Sequence, residues 1–105
     1  MENFITLEEM KRAEPIEGAF LSSVQTDNLT VAYTDMKANV EIPLHQHPEE
    51  AVDIIIEGEL EMQIGEKIEM LRQGMITIVP SNIPHKAKAV SNCKVVTIFF
   101  PIRKM

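Results

Sequence analysis

The 105-residue sequence has no tryptophan, one tyrosine and one cysteine, and it holds only four glycines and three histidines. So few aromatic rings leave no platform on which single-stranded nucleic acid could stack. Cations are scarce too: 10 Lys and Arg against 16 Asp and Glu give a net charge of −6. A surface of that sign argues against nucleic acid and anionic membranes as partners, since both need a basic patch. The lone Cys93 cannot close an intrachain disulfide, which fits a reducing, cytoplasmic compartment. Long hydrophobic runs are also missing. The longest near the centre, Ile54–Ile56, is far short of the roughly 20 residues a membrane helix needs. The N-terminal stretch Met1–Pro15 has no basic segment leading into an apolar one, so no targeting signal is expected. The length corresponds to one domain, residues 1–105.

What is present is Ile, Val, Thr and Phe in short runs separated by turn residues. Glu59–Ile64 alternates polar and apolar without a fault, the period of a half-buried strand. Gly65-Glu66 then reads as a two-residue type II′ turn, and Lys67–Met70 resumes the alternation. Ala19–Gln25, Leu29–Lys37, Val52–Glu57, Met75–Val79, Lys86–Val90 and Lys94–Phe100 read as further strands. Strands about ten residues apart predict an all-β sandwich or barrel. Thr6–Glu9 resembles a capping box and predicts one helical turn, with Pro15 ending what forms there. Met36, Met62, Met70 and Met75 are expected to fill the interior. Val52–Glu57 is apolar toward both faces, so both are expected to be covered. The cover is either the chain's own N-terminal segment or a second copy, and a homodimer is the expectation.

The residues with most chemical content lie in Pro43-Leu44-His45-Gln46-His47-Pro48-Glu49-Glu50. Histidines two apart on an extended segment face the same side, and Pro48 biases His47 toward extended backbone. Two imidazoles on one face fill a core poorly but hold a divalent metal well. The third histidine, His85, follows the turn Pro80–Pro84. Cys93 reads as packing, Ser22-Ser23 has no histidine partner, and no glycine loop cradles a phosphate.

These segments resemble the two motifs of the cupin family. The stretch His45–Gly58 resembles the first motif, an H-x-H followed by a carboxylate or amide ligand and then a glycine. The stretch Gly74–His85 resembles the second, which ends on a histidine. The resemblance implies an all-β cupin double-stranded β-helix, an antiparallel jelly-roll barrel with a metal inside its mouth. It implies that His45, His47 and His85 are the metal ligands. Asn39 and Asn82 stand where the motifs usually have glycine, and Asn tolerates the left-handed backbone better than most residues. Ala51 stands where the carboxylate or amide ligand is usual, and alanine cannot ligate. Glu50 could take its place only through a bulge. Asp53 shares a face with Ala51 and could enter the pocket as a carboxylate. The reading adopted is three histidines with open positions for water or substrate.

One divalent transition metal is therefore expected, from Fe, Zn, Ni, Mn or Cu, since imidazole does not choose among them. The resemblance implies chemistry on a small molecule, dioxygenase-like or sugar- or uronate-isomerase-like. The alternative is a non-catalytic binding or sensing domain. Thr97–Arg103 is similar to the end of the pectin-degradation cupins, where Phe100 and Arg103 match pocket residues. The acidic pocket residue expected near Ile98 is missing. Ala51, Asp53, Met62, Phe100 and Arg103 are the expected substrate pocket.

Overall fold

The computed structural model describes residues 3–105. A single 3-10 turn, Leu7–Glu9, precedes ten strands: β1 (Ala13–Ile16), β2 (Ala19–Gln25), β3 (Thr30–Met36), β4 (Glu41–His45), β5 (Glu50–Glu57), β6 (Glu59–Ile64), β7 (Lys67–Arg72), β8 (Ile76–Val79), β9 (His85–Ala89) and β10 (Cys93–Phe100). The Thr6 side chain makes no capping bond to that turn. Pro15, expected as a helix stop, instead lies in the edge strand β1, where a missing N–H costs no ladder bond.

The strands form a six-stranded sheet, β1-β2-β3-β10-β5-β8, and a four-stranded sheet, β4-β9-β6-β7. All pairings are antiparallel. The two sheets enclose one apolar cluster as an antiparallel jelly roll. It includes Met36, Ile55, Leu60, Met62, Leu71, Val79, Val95 and Phe99. Cys93 is fully buried in it, and burial pushes its thiol pKa up, which is the behaviour of a packing residue.

Turn chemistry explains several connections. Gly65 takes φ +59 while Ile64 pairs directly with Lys67, the two-residue turn expected there. Gly58 joins β5 to β6 at φ +87, and a Cβ there would lie 2.1 Å from the Asn92 carbonyl oxygen. Asn39 and Asn82, at φ 74 and 60, both adopt the left-handed conformation that the replaced motif glycines imply.

Two side-chain placements differ from expectation. Because Ile64 pairs with Lys67, Ile68 falls opposite Gln63 and Met70 opposite Glu61. The apolar face of β7 that the alternation suggested is thus its outer face, and Ile68 is exposed, while Leu71 alone turns fully inward. Met36 and Met62 lie in the core, but Met75 precedes β8 and is exposed.

Candidate metal centre and its cavity

His45 closes β4 and pairs in register with His85, which opens β9. His47 lies just beyond β4, where the chain crosses toward the six-stranded sheet. The His47 carbonyl accepts a hydrogen bond from the Asn82 N–H at 2.8 Å, tying the Pro80–Pro84 turn to the H-x-H segment. These links bring the three rings to centroid separations of 4.2, 4.8 and 5.6 Å. One nitrogen from each lies within 4.8 Å of the others. A metal with bonds of 2.0–2.1 Å holds its ligand nitrogens roughly 3–3.5 Å apart, so small ring rotations close the set.

The orientation of the rings has a common cause. His45 Nδ1 donates to the Pro43 carbonyl at 2.8 Å, His47 Nδ1 to the Glu49 carbonyl at 2.9 Å and His85 Nδ1 to the Ile83 carbonyl at 2.8 Å. A carbonyl can only accept, so each Nδ1 carries a proton, and in the neutral ring it is Nε2 that has the lone pair. Each carbonyl belongs to a residue two positions away, so the extended backbone itself aims the ring. Three lone pairs facing one another repel unless a cation or a proton donor sits between them. The donor set therefore fits a divalent metal.

Burial pushes the His85 pKa below its ordinary value, opposed by the Ile83 carbonyl and reinforced by the neighbouring His45 and His47. The neutral, ligating form is favoured. Phe99 packs edge-on to His47 at 5.5 Å between centroids and fixes that ring from the six-stranded sheet. Glu49 lies behind His47: its Oε1 accepts from Arg103 Nη1 at 2.8 Å and lies 3.8 Å from His47 Nδ1.

The histidines open on a cavity of about 380 Å³ between the sheets. Ala51, Asp53, Met62 and Arg103 line it, as does Phe99. Two expected residues are absent from it. Phe100 pairs with Glu50 on the outer face and is 54% exposed; the ring turned inward is Phe99. The slip is one residue, which inverts a strand side chain. Glu50 is exposed on that outer face, so it cannot be a fourth ligand. Ala51 faces inward and contributes no donor atom. No acid stands near Ile98 on β10, but a carboxylate reaches that level from β5, where Asp53 pairs with Thr97.

Sequence reasoning passed over Phe99, Glu49, Thr77 and Thr97. Phe99 left no local signal, because Val95 and Phe99 on one face of β10 and Val96, Ile98 and Phe100 on the other are all apolar. The other three gain their roles from contacts across the sheets, which leave no local pattern.

The cupin domain family model matches residues 32–99. Among solved structures, the chain resembles an RmlC-like cupin from Shewanella frigidimarina at TM-score 0.93 and 21% identity, covering 99% of this chain and 95% of that one. It resembles KdgF from Halomonas sp. at TM-score 0.91 and 20% identity, over 99% and 97%. Bacillus subtilis oxalate decarboxylase, a protein with Mn(II) centres, matches at TM-score 0.84 and 18% identity, over 92% of this chain but only 29% of its own. A search of curated proteins found no match.

Proposed function

Because the chain belongs to the cupin-domain family, we propose that it is a metal-dependent protein of small-molecule chemistry. In this reading His45, His47 and His85 hold one divalent transition metal, and the cavity behind them receives the substrate. One observation carries the reading: all three Nδ1 atoms are occupied by backbone carbonyls, leaving Nε2 of three clustered, cavity-lining histidines as the donor atoms. Three neutral nitrogen donors suit Fe, Zn, Ni, Mn or Cu. When bound, such a metal supplies a Lewis acid with open coordination positions.

The chain's own residues do the rest. The carbonyls aim the imidazoles, Phe99 and Val79 shield the inner side from water, and Arg103 holds Glu49 against His47. We favour turnover, of a dioxygenase or isomerase kind. The lack of a donor at Ala51 favours a second reading, binding without turnover.

Metal analysis of protein purified without a histidine tag tests the proposal. About one ion per chain is expected, lost in His47→Ala and retained in Glu50→Ala. A wild-type protein that takes up no metal under any loading condition overturns it. Dioxygen consumption by the iron-loaded protein, or product formation from acid sugars, separates turnover from binding.

We also propose a homodimer through the outer face of the six-stranded sheet. There Ile54 sits between Val96 and Ile76, and Val52 between Ile98 and Ile78. The N-terminal strand β1 lies at the opposite edge, so it does not cover this face. Ile76 and Ile78 remain 60% and 63% exposed. Apolar patches of a few hundred Å² are the usual upper range for a monomer, and a standard interface covers roughly 800 Å² per copy. Among the described residues, no helix is long and apolar enough to cross a membrane. The buried thiol of Cys93 fits the cytoplasm as the place of action.

A further inference from the structure

The inner floor of the six-stranded sheet is largely apolar but carries one charged side chain, Asp53. Ala51, Ile55, Val79, Val95 and Phe99 are buried around it. Thr77, Asp53 and Thr97 stand side by side at one level on β8, β5 and β10. Thr97 Oγ1 donates to Asp53 Oδ1 at 2.6 Å, and Thr77 Oγ1 donates to Asp53 Oδ2 at 2.9 Å. Each carboxylate oxygen is thus held by one hydroxyl, Oδ1 from β10 and Oδ2 from β8.

This arrangement is a poor way to pack a core. Asp53 is only 9% exposed, and among the described residues no cation lies within ion-pair distance of it. A buried carboxylate without a cation is costly, and two neutral hydroxyls offset only part of that cost. A carboxylate has about four acceptor positions, and the threonines use two. Asp53 lines the cavity, so the remaining positions are available to what enters it. It sits one strand repeat along β5 from Ala51, a step of roughly 7 Å.

We propose that Asp53, oriented by Thr77 and Thr97, is the specificity-determining residue of the cavity. It receives a hydrogen-bond donor, a hydroxyl or an ammonium group, on a small ligand whose acid end lies toward the histidines. The inference rests on the metal-centre reading above for the acid end only. The two ends of the cavity have opposite preferences: a divalent ion among neutral imidazoles attracts an anion, and a cation-free carboxylate attracts a donor. Chains of three and four carbons sample the separation between them. Apolar walls such as Leu60 and Met62 suit their methylene groups.

Titrations followed by the backbone amide signals of Ala51 and Thr97 test this, on protein with and without added zinc. The probes are propionate, 3-hydroxypropionate and β-alanine, with butyrate, 4-hydroxybutyrate and 4-aminobutyrate as the longer set. At least one hydroxy or amino acid is expected to bind tenfold or more tighter than its parent acid. Which arm responds identifies the donor as hydroxyl or ammonium. Asp53→Asn should cut the preference below about threefold while leaving zinc content unchanged. Thr97→Val should weaken it partially, and serves if the Asp53 variant fails to fold. Equal binding of substituted and parent acids by the wild type, or no saturable shift with any probe, overturns the inference. A preference that persists in protein unable to take up zinc leaves Asp53 in its role and removes the metal instead.

Discussion

Two residues, one in the candidate centre and one beside it, set its response to acid. Burial lowers the His85 pKa below 6.5, so the unfolded chain binds that proton more readily than the folded one. Its contribution to stability is present above about 6.5 and is lost as pH falls from there through the lower folded value. Glu49 acts in the same direction further down. Burial alone would raise its pKa, but its own backbone N–H and the Arg103 guanidinium hold it below the ordinary 4.5. That contribution is present above 4.5 and lost as pH falls through its folded value. Chelator-treated protein should therefore show a melting temperature that declines below about pH 6.5 and more steeply below about 4.5. A melting temperature flat from pH 7 to pH 4 would contradict both assignments. The histidine set was legible in the sequence because each member sits in a local motif. Glu49 was not: its partner Arg103 is 54 positions away, and the neighbouring Glu50 drew attention to the wrong side of the strand.

At the scale of the elements, the tight turns hold the strands in the register that delivers the site. Gly58 is the most constrained of them, combining a left-handed φ with the Asn92 carbonyl oxygen 2.1 Å from where a Cβ would stand. Gly65 shares the positive φ but has open space around it. Gly58→Ala should cost at least about 3 kcal/mol, and Gly65→Ala roughly 1 kcal/mol. Thermal melts read the difference, since each kcal/mol moves the midpoint by roughly 4–8 °C in a domain of about this size. Equal shifts for the two variants would mean that the backbone around Asn92 gives way. The β6–β7 turn was readable because a faultless alternation ran into a glycine. At the end of β10 parity failed as a guide. Val95, Val96, Ile98, Phe99 and Phe100 are apolar on both faces, so periodicity did not mark which phenylalanine turned inward. The Thr77–Asp53–Thr97 row was hidden for another reason, being assembled from residues 24 and 44 positions apart.

At the scale of the whole molecule, the doubly apolar β5 that the sequence displays becomes an uncovered patch on the larger sheet. Light scattering at micromolar concentration should give twice the 11.9 kDa of the chain, and the double variant Ile76→Glu with Ile78→Glu should give the single mass. Wild-type protein that stays monomeric would remove the dimer. The variant should still bind metal, because both isoleucines point away from the cavity. The carbonyl clamps on the three histidines have a consequence for how this molecule can change over time. Pro43, Glu49 and Ile83 hold the rings through main-chain oxygens, which no point substitution deletes. The aim of the nitrogens is inherited from the chain trace, whatever side chains those positions bear. The cavity walls are thereby released to drift. A lineage or an engineer can refit Ala51, Asp53 or Met62 for another ligand while the donor set stays trained on the same point.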